Sequence, residues 1–217
     1  MFLRKISLLK YCNQTALKKN LRADNINDLD SESGNAVRCF CLLPYFTKKE
    51  MPEKTSFINH YASPLGNMTL KSNGTMLSGL WFDGQKHCAD THLCEKKDLP
   101  VFEMTKQWLD IYFSGHSPDF IPPLMIEMAH FKRSVLDVLR KIPFGTTMTY
   151  GEVASKIAAQ SGFKRISAQA VGNAVGHNPI VLIIPCHRII GASGGLVGYV
   201  AGIDKKIKLL ELEGVLF

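Results

Sequence analysis

Cys186 sits in the stretch Ile184-Pro185-Cys186-His187-Arg188-Ile189, with a proline before the thiol and two basic residues after it. The thiolate is the nucleophilic form of cysteine. A neighbouring cation or a helix start lowers a thiol pKa and raises the thiolate fraction. The setting therefore predicts a nucleophilic cysteine with a lowered pKa. Ile180 to Ile184 has the length and β-branching of a buried extended segment, which Pro185, having no N–H to donate, brings to an end. The competing reading is a cysteine buried as a small hydrophobe, and Cys-His adjacency alone does not decide between the two.

The elements around this stretch read as mostly helical. Phe131, Val135, Val138, Leu139 and Ile142 recur at intervals of three and four, and Gly145 follows that helix. Thr149 followed by Glu152 has the spacing of a capping box, opening a helix whose buried face is Val153, Ala154, Ile157 and Ala158. A turn at Gln160-Ser161-Gly162 leads past Lys164 and Arg165 into a second helix, from about Ser167 to Val175, so the pair reads as a helix-turn-helix. The second helix is rich in small residues, Ala168, Ala170, Gly172, Ala174 and Gly176. An interior glycine costs about 1 kcal/mol relative to alanine, offset either by tight packing on the core or by close approach of a partner. The last helix, Ile203 to Glu213, is expected to bury Ile203, Ile207 and Leu210 and to end at Gly214.

Upstream, residues 55–121 read as a small mixed domain. Strand-like runs cover Ile58 to Ala62, Met68 to Ser72 and Thr75 to Phe82, with Asn73-Gly74 as a two-residue hairpin signal, and a meander is expected. A helix from Val101 to Phe113 follows, with Phe102, Leu109 and Phe113 among its apolar positions. Residues 1–54 form a basic extension, expected to be disordered. It has no acidic residue before Asp24, which resembles a transit peptide in composition, while Met51 offers an alternative start. Residues 122–217 make the third part.

The chain has 217 residues, 46% of them hydrophobic, enough for one large or two small domains, and no apolar run approaches membrane-spanning length. Six cysteines are too few for a disulfide framework in a chain this long, so reduced thiols and a cytoplasmic location are expected. The net charge of +7 is uneven: residues 122–217 carry 11 basic against 6 acidic side chains, and residues 55–121 carry 5 against 7. A basic surface on the last part suits phosphate, although charge alone also fits a solvated face. His87, Cys88, His92 and Cys94, with Cys39 and Cys41, invite a metal reading, but the Cys-x5-Cys spacing matches no zinc knuckle and no metal site is expected.

Five motifs stand in order between Phe131 and Gly214: Thr149 to Ala154, Ala170-Val171-Gly172-Asn173-Ala174, Asn178-Pro179 with Pro185-Cys186-His187-Arg188, Gly198-Tyr199, and Glu211-Leu212-Glu213-Gly214. On these motifs the stretch resembles the catalytic domain of the O6-alkylguanine-DNA alkyltransferases, or methylated-DNA-protein-cysteine methyltransferases. The resemblance extends more weakly through Tyr61 to Gly66 and through Tyr112-Phe113-Ser114-Gly115, so about residues 56–217 are covered. The fold it implies is α+β in two domains: a small ribonuclease-H-like mixed α/β domain, then a mostly helical domain containing the helix-turn-helix.

The chemistry it implies is repair of DNA by one irreversible transfer of a methyl or alkyl group from O6-alkylguanine, and from O4-methylthymine, to Cys186. Double-stranded DNA would be bound through the minor groove and the lesion base flipped into a pocket. Glu213 would orient His187, and His187 would take the thiol proton through a water. Tyr150 would neutralise charge at the guanine N3, and Asn178 would couple the recognition helix to the cysteine loop. Pro185, Ile189, Tyr199 and Val200 would form the base pocket, with the Val200 N–H directed at O6 and the Cys186 and Ile189 carbonyls accepting from the exocyclic amine. Gln169, Ala170, Gly172, Arg165, Lys164 and Arg188 would face DNA. Neither metal nor organic cofactor is implied, because damaged DNA is the alkyl donor, and the protein would act as a monomer. The chain departs from the family at Gln169, where well-known members insert an arginine behind the flipped base, and at Ala192, a serine in some members. Two rivals are a non-catalytic lesion binder, which would lack the acceptor cysteine, and a helix-turn-helix regulator switched by cysteine alkylation.

Overall fold

The computed structural model describes residues 55–161 and 165–215. The amino-terminal extension, with Cys12, Cys39 and Cys41, and Lys164 with the adjoining Gly162 and Phe163 lie outside the described residues.

The expected meander forms the amino-terminal half. Strands β1 (Phe57–Ser63), β2 (Gly66–Ser72) and β3 (Leu77–Phe82) pair antiparallel in succession. A fourth strand, β4 (Glu95–Lys96), adds parallel to β1, for a sheet order β3-β2-β1-β4. Asn73-Gly74 does not make the expected two-residue hairpin. The Asn73 side chain accepts from the Thr75 and Met76 backbone N–H groups, which closes a wider loop and delays β3 to Leu77. Helix α1 (Pro100–Phe113) starts with proline, whose missing N–H is no loss in a first turn. It buries Val101, Phe102, Thr105, Trp108, Leu109 and Tyr112, one face at helical spacing, and packs against β1 and β2.

The carboxy-terminal half is mostly helical, as the periodicity predicts, and the fold class is α+β. Helices α2 (His130–Leu139), α3 (Tyr150–Ser161) and α4 (Ala168–Gly176) pack on one another. The capping box forms in both directions: Glu152 Oε2 accepts from the Thr149 N–H at 2.6 Å, and Thr149 Oγ1 accepts from the Glu152 N–H at 3.2 Å. Ser167 caps α4 by accepting from the Ala170 N–H at 3.1 Å.

Ile180 to Ile184 is buried but does not extend. Leu182 takes a positive φ of 69° and the Ile184 N–H returns to the Ile180 carbonyl at 3.1 Å, so the run folds into a tight turn. Side-chain burial is the same for either shape, and so the apolar pattern alone could not reveal the turn. The turn docks on the free edge of β3: the Leu80 N–H donates to Pro179 O and the Val181 N–H to Leu80 O, both at 2.9 Å. The other end of the same edge pairs with Pro123 and Met125. An exposed sheet edge is thereby closed by the loop that carries the cysteine. The core is continuous from β2 and α1 to α3 and α4.

Helix α5 (Ile203–Leu212) is rotated relative to expectation. Lys206, Leu209, Leu210 and then Glu213 are buried, while Ile203 is 38% exposed. Among the described residues no helix is long and apolar enough to cross a membrane.

Candidate active site

Cys186 begins a single 3₁₀ turn, Cys186–Arg188, followed by a short strand β6 (Ile189–Ile190) that pairs parallel with β5 (Met148–Thr149). Pro185 places it. With φ −80° and ψ 68° Pro185 is the centre of an inverse γ-turn, and the Cys186 N–H reaches the Ile184 carbonyl at 2.8 Å. Asn178 anchors the loop: its Nδ2 donates to Ile184 O at 2.8 Å and to Cys186 Sγ at 3.2 Å, while its Oδ1 accepts from the Ile180 N–H at 3.0 Å. Since α4 ends two residues before Asn178, one buried amide links that helix to the sulfur.

The thiol is not activated by its neighbours in the chain. Burial pushes the Cys186 pKa up to about 11, with the Asn178 donor only partly offsetting it. The expected lowering fails because His187 and Arg188 turn their side chains to Glu213. Glu213 Oε1 accepts from His187 Nε2 at 2.7 Å and from Tyr112 Oη at 2.7 Å, and the Arg188 Nε donates to Oε2 at 2.8 Å. The Gly145 N–H completes the cage at 3.1 Å from Oε2. Gly145 has φ +73°, and a Cβ there would stand 2.9 Å from the Glu213 carbonyl oxygen, so glycine is required. Burial alone would raise the carboxyl, but the hydrogen bonds from His187 and Arg188 outweigh it and hold Glu213 down to about 2.

An ionised carboxylate only accepts, so the hydrogen of a neutral His187 is on Nε2 and Nδ1 keeps its lone pair. Burial lowers the His187 pKa and favours that neutral ring. Nδ1 is buried and has no protein partner, and the same holds for the hydroxyl of Tyr199, whose ring meets His187 edge-on at 6.4 Å.

In front of the sulfur lies a cavity of about 210 Å³, bounded by Tyr150, Gly172, Val175, Cys186, Tyr199 and Val200. Burial raises the Tyr150 pKa, so the side chain is a neutral phenol. Pro185 and Ile189, expected in this lining, are buried and not part of it, and the Ile189 carbonyl accepts from Lys206 Nζ. Helix α4 separates this cavity from an outer groove where Gln169, Ala170 and Asn173 face Phe131 and Lys132. Gln169 and Arg165 are exposed. A Cβ on Gly172 would meet only Tyr150, at 3.6 Å, and one on Gly176 nothing at all, so core packing does not explain these two glycines. Arg188 is not on the exposed face expected of a DNA contact: it is 7% exposed and its guanidinium is taken by Glu213 and the Ile142 carbonyl. Among the described residues no group of three His, Cys, Asp or Glu converges as a metal site.

Two buried residues of this network carried no role in the sequence. Tyr112 reaches Glu213 from α1, and Lys206 ties Ile189 O to Val197 O, the latter at 3.0 Å. Burial lowers Lys206 to about 8. Their signal was phase: positions 206, 209, 210 and 213 share one helical face, and a tyrosine on the inner face of α1 needs a polar partner.

Residues 57–126 match the family model of the 6-O-methylguanine DNA methyltransferase ribonuclease-like domain, and residues 130–215 match the model of the DNA binding domain of the same methyltransferase. Methylated-DNA–protein-cysteine methyltransferase of Mycobacterium tuberculosis is 41% identical over 152 residues, 70% of this chain and 88% of the relative. The chain belongs to that family. The Haemophilus influenzae member is 34% identical over 160 residues, 73% of this chain and 87% of the relative. The crystal structure of M. tuberculosis OGT in complex with DNA superposes with a TM-score of 0.65 at 40% identity, covering 72% of this chain and 92% of that one.

Proposed function

We propose that this protein repairs DNA by moving the alkyl group of O6-alkylguanine, and of O4-methylthymine, onto Cys186, once per molecule. The observation that carries the reading is the position of Sγ: it opens into a cavity beside α4, with the Glu213–His187 pair buried behind it. The lesion base leaves the stack through the minor groove and enters this cavity, because a thiol cannot reach the exocyclic oxygen inside a duplex. Gln169 and Arg165, both exposed, and the small residues Ala170 and Gly172 form the DNA face.

With a pKa near 11 the sulfur is a thiol at neutral pH and needs a base. Nδ1 of His187 takes the proton through a water while Glu213 holds Nε2. Sγ forms the bond to the alkyl carbon, the C–O6 bond breaks, and its electron pair stays on guanine. Tyr150, a neutral phenol, donates toward N3, and the Val200 N–H toward O6. The thioether is stable, so the protein is consumed. No metal or organic cofactor takes part. The protein acts as a monomer in the cytoplasm, a setting that suits the free thiols of Cys88, Cys94 and Cys186.

The test is intact-mass analysis after incubation with duplex DNA containing O6-methylguanine. One methyl group is expected, mapped to Cys186. Cys186→Ala is expected to abolish transfer and keep DNA binding, since phosphate contacts and base flipping do not use the sulfur. Equal labelling of Cys88 would overturn the assignment.

A further inference from the structure

The cavity in front of Cys186 has one wall that comes from the amino-terminal half. Lys86 and His87, on the loop after β3, line it together with Gly176 and Val200. The root of that loop is fixed. Thr69 Oγ1 donates to Asp83 at 2.7 Å, the Phe82 N–H donates to Gln85 Oε1 at 3.1 Å, and Gly84 turns the chain at φ +77°. Its tip is held by two contacts across the cavity mouth. The Lys86 N–H donates to Val200 O at 3.3 Å, and the His87 ring stacks on His177 with centroids 4.6 Å apart and planes 25° from parallel. His177 is the carboxy-terminal cap of α4, and its Nδ1 donates to Asn173 O at 2.7 Å, which fixes the ring. His87 itself has φ +62°, a conformation that side chains other than glycine adopt at a cost, kept here by the stack and the Val200 bond.

We propose that His87, held in place by its stack on His177, is the wall that sets how large an O6 substituent the site accepts. The inference rests on the alkyl-transfer reading. An in-line displacement keeps Sγ, the reacting carbon and O6 on one axis. Any part of the substituent beyond that carbon must then spread sideways, into a wall. The base occupies the side of Tyr150, Tyr199 and Val200. What remains is the gap between the end of α4 and the Val200 segment, which His87 lines while the His177 ring, stacked against it, braces it. A wall of this kind discriminates by volume, where one methylene is worth about 10- to 200-fold in rate.

The experiment measures single-turnover rates of the full chain with O6-methylguanine and O6-benzylguanine at the same position of one duplex. His87→Ala and His177→Ala are each expected to raise the benzyl-to-methyl ratio by about tenfold. The double variant should do no more than the stronger single one, because either removal opens the same wall. His87→Trp should lower the ratio. A ratio left at the parent value by both His87→Ala and His87→Trp, or gains that multiply in the double variant, would overturn the wall and leave alkyl transfer standing. A parent protein that accepts neither group would overturn the alkyl-transfer reading, and this inference with it.

Discussion

Replacing Glu213 with glutamine tests whether one carboxylate serves the fold and the chemistry together. Five hydrogen bonds end on it, from Tyr112 Oη, His187 Nε2, Arg188 Nε and Nη2, and the Gly145 N–H. Glutamine offers one carbonyl oxygen and an NH₂ that would meet donors, and it leaves Arg188, 7% exposed, without a counter-charge. Breaking a buried pair from one side costs about 3–5 kcal/mol. At roughly 2–4 °C per kcal/mol for a unit of this size, the thermal midpoint should fall by roughly 6–20 °C. Transfer measured well below that midpoint should still be slower by about 10² to 10⁴, the usual worth of a positioned acid–base pair. Arg188→Met completes a double-mutant cycle followed by urea unfolding. Because the double variant removes both charges, its loss should be smaller than the sum of the single losses by about 0.5–3 kcal/mol. Strict additivity, or an unchanged midpoint in Glu213→Gln, would refute the carboxylate cage, and an unchanged transfer rate would refute its role in orienting His187.

Gln169→Ala should slow repair in duplex DNA far more than transfer from free O6-benzylguanine, since the free base needs no extrusion, whereas Gln169→Arg should tighten duplex binding and steepen its salt dependence by about one phosphate contact. Equal slowing of both substrates by Gln169→Ala would make this residue a support of the pocket and end its reading as a finger behind the flipped base. Stability should fall in acid. Glu213 is depressed in the folded state from 4.5 to about 2, so its contribution, on the order of 3 kcal/mol, is present above pH 4.5 and disappears as pH falls toward 2. His187, lowered by burial, adds in the same direction from its ordinary value of 6.5 downward, because the unfolded chain takes the proton first. Urea midpoints that stay flat between pH 7 and 3 would contradict both shifts.

Much of this site was legible because its motifs are local. The capping box at Thr149 and Glu152, the Pro185-Cys186-His187-Arg188 turn and the Asn178-Pro179 pair each specify geometry within a few residues. What was not legible depends on long-range partners. Arg188 reads as a surface cation until Glu213, 25 positions away, is seen to claim it. Tyr112 reads as a core aromatic until its hydroxyl is found 2.7 Å from a carboxylate 101 positions on. Strand β4 is two charged residues with no apolar pattern, paired only because Glu95 and Lys97 meet the backbone of Ser56 and Ile58. The turn at Leu182 hides in a run whose side chains are buried in either conformation.

The raised pKa of Cys186 fits the proposed reaction better than the lowered one that its sequence neighbours imply. A single-use acceptor is lost to any electrophile that reaches it, and the thiolate is the form that reacts. Burial at 3% exposure and a pKa near 11 keep Sγ protonated at neutral pH. The cost returns in the transition state, where the proton must leave, and there the site concentrates its polar groups. Nδ1 of a neutral His187 stands free of protein partners, and Asn178 Nδ2 donates to the sulfur at 3.2 Å. Glu213 holds the imidazole and has Arg188 beside it to balance its charge. In the proposed reaction these groups act only on a substrate already seated in the cavity, where the alkyl carbon would meet the sulfur. Selectivity then comes from withholding the thiolate until that moment. An enzyme that turned over could afford a permanently activated cysteine; one that is consumed by its first reaction could not.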